Sequence, residues 1–256
     1  MFERLFNRGP KDIATRRKEA AEKFTNPKFF TEKDHADVES LRAPLRKILE
    51  DLRPKIEKGE YTIVLADDAS GRIPAFIIGH VLKTVYEHKG FPAQHFRTVA
   101  GSMRVQGDLK RNKSIALREQ FGKMKQTMLD HAPEQATGRI LIVTDTVNSG
   151  QSVELPLRSL RANGLEADVA TLSIMSSSED VHESKRKYFE EKWDTTVVSA
   201  SHTFPDIYHT RLSGVTKKDD KVFATPNDTP HEVVRASRHY AKQIAEDLAK
   251  EFLNKK

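Results

Sequence analysis

The chain has 256 residues, 37% hydrophobic and 31% charged, and a formal net charge of +6. That length accommodates one large domain or one domain with appendages. No apolar run approaches the roughly 20 residues of a membrane span, and a chain without cysteine has no disulfide, thiolate metal site or cysteine nucleophile.

The positive charge suits anionic ligands such as phosphates, and also nucleic acid. Basic residues are interspersed with acidic ones, so a mixed, solvated surface is expected ahead of a nucleic-acid face. The opening stretch MFERLFNRGPKDIATRRKE lacks the apolar segment of a secretory signal. The expectation is a cytoplasmic protein with no membrane contact.

Residues 11–25 read as a helix, broken by Asn26-Pro27. A second helical pattern over 35–58 has Val38, Leu41, Leu45, Ile48, Leu49 and Leu52 at helical spacing, with Pro54 as a break and Gly59 at its close. The pattern then changes. Tyr61–Ala66 is a short apolar run of the buried-strand kind. A helix is expected from Pro74 to His88 and a strand at 94–100, then a basic, irregular stretch over 101–137 with a helix near 115–130. Ile140–Thr144 reads as a strand, 151–163 as a helix ended by Gly164, 167–175 as a strand, 178–192 as a helix and 195–199 as a strand. Residues 200–230 are loop-rich, and a last helix runs from about Pro230 to Leu253 with Thr229 as its N-cap. Strands alternating with helices through 61–199 predict an α/β fold with a central parallel sheet flanked by helices, plus extra N- and C-terminal helices. The expected organisation is a helical extension at 1–58, a core at 59–215, and a C-terminal loop and helix at 216–256 packed on it.

Ligands of such sheets bind in the loops at the carboxyl ends of strands. Two of those loops stand out. In ILIVTDTVNSGQS, residues 140–152, an apolar strand leads through Thr144 and Asp145 into a Ser-Gly turn and a helix. Gly150 permits close backbone approach and positive φ. Ser149 and Ser152 offer hydroxyls, and the N–H groups of about Asn148–Ser152 lie at a helix start, where phosphate is favoured. Asp145 can accept hydrogen bonds from two adjacent sugar hydroxyls. The other loop, ADDASGRIP at 66–74, has small residues Ala69, Ser70 and Gly71 for close backbone approach and Arg72 for a bidentate phosphate clamp. Asp67 and Asp68 are candidate Mg²⁺ ligands, directly or through water.

The thirteen residues 140–152 resemble the phosphoribosyl-pyrophosphate (PRPP) motif of type I phosphoribosyltransferases: four apolar residues, two acids, two mostly apolar residues, a variable one, then Thr/Ser-Gly-any-Thr/Ser. The resemblance implies that the segment from Thr144 and Asp145 through Thr146, Val147, Asn148, Ser149, Gly150, Gln151 and Ser152 binds PRPP, with Asp145 on the ribose hydroxyls and Asn148–Ser152 around the 5′-phosphate. It further implies that the loop of Asp68, Ala69, Ser70, Gly71 and Arg72 holds pyrophosphate. Asp145 and Arg72 become the expected catalytic residues, and Mg²⁺ the expected cofactor. Two positions depart from the pattern. Thr144 stands where the first acid usually stands. Asn148 stands where some purine enzymes of the family place an aspartate, and an amide cannot act as a general base.

The family also carries a mobile loop that closes over the site. Here the stretch 101–125 has Arg104, Lys110, Arg111, Lys113, Arg118, Lys123 and Lys125, with Gly101 and Gly107 as hinges. A base-binding hood is expected after the last core strand, with Phe204 and Tyr208 as stacking candidates and Arg211, Ser213 and Gly214 as polar contacts. His202 and His209, without a carboxylate at ligand spacing, read as surface residues, and Trp193 as packing. No GxSxG, HExxH, GxxxxGK[ST] or GxGxxG is present. The resemblance implies transfer of ribose 5-phosphate from PRPP to or from a nitrogenous base, in a chain that forms homodimers as enzymes of this fold often do. The alternatives are a non-catalytic PRPP or nucleotide sensor that binds nucleic acid, and a phosphosugar hydrolase.

Overall fold

The computed structural model describes residues 30–67, 69–99, 107–131, 138–203, 210–216 and 224–255. The helix expected at 11–25, the residues Asp68, Arg104, Phe204, Tyr208 and His209, and the Ser70 side chain lie outside the described residues. Among the described residues no helix is long and apolar enough to cross a membrane.

Five strands, β1 (Tyr61–Asp67), β2 (His95–Val99), β3 (Arg139–Val147), β4 (Ala167–Ile174) and β5 (Val197–Ser201), form one parallel sheet in the order β2-β1-β3-β4-β5. Side chains alternate across a strand, so a sheet buried on both faces needs apolar residues at consecutive positions. Val64, Ala66, Leu141, Val143, Ala170 and Leu172 belong to one core layer, while Ile63, Leu65, Ile140, Ile142 and Val169 belong to the other.

The first layer is closed by helices α1 (Glu32–Glu39), α2 (Arg42–Asp51), α3 (Arg53–Ile56) and α4 (Arg72–Lys89), and by the C-terminal helix, α9 (His231–Asn254). The second is closed by α5 (Gly107–His131), α6 (Gln151–Arg161) and α7 (Glu179–Trp193). A short helix, α8 (Thr210–Ser213), and a two-stranded ladder of β6 (Val215–Thr216) with β7 (Thr225–Pro226) complete the described chain. The connection β1–α4–β2 runs over one face and β3–α6–β4–α7–β5 over the other. This is the doubly wound arrangement that right-handed crossovers produce when strand order reverses.

Several boundaries differ from expectation. The pattern over 35–58 is three helices, interrupted at Ser40–Leu41 and at Leu52, with Pro54 in the first turn of α3. α4 begins at Arg72, ahead of Pro74. From Gly107 onward the basic stretch is not a loop but a 25-residue helix, because Leu117, Phe121 and Met128 recur on one face and insert into the second core layer. β3 extends beyond Thr144 to Val147, and β5 lies two residues later than expected. The N-cap of α9 is Pro230 rather than Thr229, with no side-chain cap.

At the amino ends of the strands, Asp168 is fully buried. Its oxygens accept from Lys55 Nζ at 2.7 Å, Tyr61 Oη at 2.8 Å and Arg139 Nη1 at 3.1 Å, joining β1, β3, β4 and α3. Burial alone raises this carboxyl's pKa. The hydrogen bonds from Lys55 and Tyr61, with the charges of Lys55 and Arg139, more than offset that and hold it below the usual aspartate range. α9 is fastened to the N-terminal helices. Arg46 binds Glu251 through two hydrogen bonds of 2.7 and 3.0 Å, Arg42 reaches Asp247 at 3.1 Å, Tyr240 donates to Glu39 at 2.6 Å, and Arg53 lies 3.8 Å over the Phe252 ring.

Truncating Asp168 removes the buried acceptor shared by Lys55, Tyr61 and Arg139, of which Arg139 keeps Glu166. Asp168→Ala is expected to cost about 3 kcal/mol, measured as a lowered urea midpoint. The stabilisation from Asp168 is complete above the ordinary aspartate pKa and is lost as pH falls through its depressed folded value. The gap between native and variant therefore narrows below about pH 4, which urea titrations across pH 2–7 would show.

Candidate functional site

Strand order reverses between β1 and β3. β1 feeds α4 on one face and β3 feeds α6 on the other, so the two loops diverge and leave a crevice at the carboxyl edge of the sheet. Both candidate loops singled out in the sequence stand at this one place.

The β3 loop is short. Thr144 and Asp145 are not in it; they are the sixth and seventh residues of β3 and are 0% and 8% exposed. Val147 packs its side chain into the second core layer, so any contribution from it to a ligand is through the backbone. The turn itself is Asn148–Gly150, with Asn148 and Ser149 exposed. Gly150 adopts φ +75°, and a Cβ there would lie 2.5 Å from Trp193 Cζ2 and 2.8 Å from Phe189 Cε1. Those two rings stack with centroids 4.6 Å apart and form the floor of the turn. Trp193 is thus a packing residue, as expected, and what it packs against is the phosphate-loop candidate. No side chain caps α6. The Val153 and Glu154 N–H groups turn back to the Gly150 carbonyl at 3.1 and 3.0 Å, and the N–H groups ahead of them keep the anion-binding character of a helix start.

The β1 loop is a 3₁₀ turn, Ala69–Gly71. Ala69 adopts φ +66°, a left-handed conformation that costs a non-glycine residue about 1–3 kcal/mol. Gly71 presses onto β3: a Cβ there would lie 2.8 Å from the Val143 carbonyl oxygen and 3.3 Å from Thr144 Cα. α4 also starts at a glycine N-cap without a side-chain cap, and Arg72 is its first residue. Both helices thus start at glycine N-caps, Gly71 and Gly150, one from each loop.

A hydroxyl row ties the strand ends together. Thr171 Oγ1 donates to the Asp145 carbonyl at 3.2 Å, and Ser173 Oγ to Thr146 Oγ1 at 3.3 Å. Thr144 Oγ1 lies 3.2 Å from Asp67 Oδ2 and 3.3 Å from Asp145 Oδ1. Among the described residues no three His, Asp or Glu side chains converge as a metal cage. One or two carboxylates suit Mg²⁺ that arrives with substrate phosphates and retains water, and Asp67 and Asp145 are of that kind. Asp68, the other expected ligand, lies outside the described residues.

The hood candidates separate. α8 packs against the Ala69–Gly71 turn, with Leu212 and Ser213 buried. Arg211 is engaged by Asp34 of α1 at 3.3 Å. His202, read from sequence as lacking a carboxylate partner, has Glu179 of α7 2.8 Å from its Nδ1. The buried His182, not singled out in the sequence, has its Nε2 3.0 Å from Ser199 Oγ, and burial lowers its pKa. His182 and Glu179 line a hollow of about 340 Å³ along β5 with Lys47, Asp51 and Arg186, away from the β1–β3 crevice. Lys113, expected on a mobile loop, is a buried residue of α5.

The chain matches no protein-family model, no curated protein and no solved structure at a significant level.

Gly150→Ala tests the built character of the turn. The left-handed backbone costs an alanine about 1–2 kcal/mol, and the clash with the Trp193–Phe189 stack adds about 1–3 kcal/mol. The expected result is a fall of about 2 kcal/mol or more in urea unfolding, with altered Trp193 fluorescence in the folded state. A variant as stable as the native chain with unchanged emission contradicts it.

Proposed function

We propose that the β1–β3 crevice binds PRPP with Mg²⁺ and that the chain is a phosphoribosyltransferase, moving ribose 5-phosphate to or from a nitrogenous base. One observation carries this reading. Two helices that start at glycine N-caps, Gly71 and Gly150, and a buried carboxylate, Asp145, lie where the strand order reverses. Phosphates at both ends of a sugar and a diol between them need that combination. The turn before α6 takes the 5′-phosphate and the Ala69–Arg72 turn takes pyrophosphate. Asp145, held by strand pairing to β4, accepts from the ribose hydroxyls. It also stabilises the positive charge that develops on the ribose as the C1–oxygen bond to pyrophosphate breaks and the C1–nitrogen bond forms. Mg²⁺ supplies charge neutralisation on the pyrophosphate. Asn148 cannot accept the proton lost by a purine nitrogen, which points away from a purine mechanism run through this position. Stacking of the acceptor base is assigned to Phe204 and Tyr208, in the segment that follows β5.

Purified protein with PRPP, Mg²⁺ and a panel of nucleobases is expected to release pyrophosphate only with its particular acceptor. Base-independent release would instead indicate hydrolysis. A folded protein that does not bind PRPP refutes the assignment. Asp145→Ala is expected to weaken PRPP binding about ten- to hundredfold, with cooperative unfolding retained. Native affinity in that variant would move the ribose site elsewhere.

A further inference from the structure

Thr144 occupies the position at which the resembled motif carries its first acid. In space, that position is not without one. β1 and β3 pair in register through Ala66↔Val143, which sets Asp67 at the end of β1 beside Thr144. Gly71 lies close against this end of β3, where a Cβ would be 2.8 Å from the Val143 carbonyl oxygen and 3.3 Å from Thr144 Cα. Thr144 Oγ1 is then 3.2 Å from Asp67 Oδ2 and 3.3 Å from Asp145 Oδ1, with Asp67 only 3% exposed.

A threonine hydroxyl has one proton to donate. It lies between the two carboxylates and can donate to only one of them at a time, so the other keeps its acceptor capacity for a ligand. Asp67 also has a further partner besides Thr144. Two buried acids joined in this way favour a ligand that brings cationic charge and hydroxyl donors.

Resting on the PRPP reading above, we infer that Asp67 supplies from the neighbouring strand the second acid that the motif lacks at position 144, with the Thr144 hydroxyl as the link. The acidic pair of the site is Asp67 and Asp145, one on each side of the switch point, and it receives the vicinal hydroxyls and Mg²⁺ of the phosphoribosyl substrate. Thr144 is a positioning residue. Its hydroxyl fits the space because an acid already stands opposite.

The transposition predicts a sign reversal. Binding of PRPP with MgCl₂ is measured by calorimetry and by fluorescence of Trp193, the single tryptophan of the chain, with circular dichroism to verify folding. Asp67→Asn is expected to weaken binding about tenfold or more. Thr144→Asp in the otherwise native chain is expected to weaken it as well, because a third carboxylate enters an occupied space. Thr144→Asp combined with Asp67→Asn is expected to recover most of the affinity. Native affinity in Asp67→Asn overturns the inference while leaving the PRPP reading intact. So does tighter binding in Thr144→Asp alone, which would mean that the site had lacked its second acid. A double variant that recovers nothing also overturns it. Absence of PRPP binding by the folded native chain brings down the proposed function itself. If either single variant does not fold, the other decides.

Discussion

The contact of Gly71 with the Val143 carbonyl is the constraint on which the carboxyl edge of the sheet depends. Without a Cβ at residue 71, the β1 loop can lie directly on the β3 backbone. That approach keeps Asp67 beside Thr144, starts α4 close to the crevice and places Arg72 in its first turn. Ala69, held at positive φ, shows that the turn is kept in this shape against its local preference. On the facing loop a second glycine has a related role. Gly150 lets the turn settle onto two stacked rings, so the approach to α6 is supported from beneath by α7 instead of by its own short length.

The two edges of the sheet are built from different chemistry. The amino edge concentrates full charges, with Asp168 buried among Lys55, Arg139 and the Tyr61 hydroxyl, all committed to one another. The carboxyl edge of β3 and β4 is lined with Thr144, Thr146, Thr171 and Ser173, whose hydroxyls serve as both donors and acceptors. Such groups bury at low cost when they bond to one another and can rotate toward a new partner.

Much of the fold was legible because both faces of the sheet are covered. Tyr61–Ala66 and Ile140–Val143 are short apolar runs bounded by polar turns, and Ala167–Ile174 keeps enough apolar positions around Asp168, Thr171 and Ser173 to read as a strand. The end of β3 extends past the apolar run because Thr144, Asp145 and Thr146 are held by hydrogen bonds to β1 and β4, which no local pattern reveals. The helix expected near 115–130 is the C-terminal part of α5; its first turns, from Gly107, are obscured by the basic residues Lys110, Arg111 and Lys113. Asp145 and the Ser-Gly turn could be named from a linear motif. The proximity of Asp67 to Thr144 could not, because it depends on the register between strands 77 residues apart in the chain. The Glu179–His202 pair is likewise hidden from local spacing, since it forms between the first turn of α7 and the residue after β5, 23 positions on.

The fastening of α9 to α1–α3 has a consequence for how the molecule is made. Leu45, Ile48 and Leu49 share their core layer with Ile244, Leu248 and Phe252, about two hundred residues later in the chain. Contacts this remote close late, since a long intervening segment must be ordered before they form. During synthesis, one face of the sheet can assemble from consecutive strands and helices, while the other waits, with apolar surface open to water, for the last helix to leave the ribosome. The helix farthest from the crevice in sequence is therefore the one that decides when the layer beneath α4, and with it the start of that helix, becomes solid.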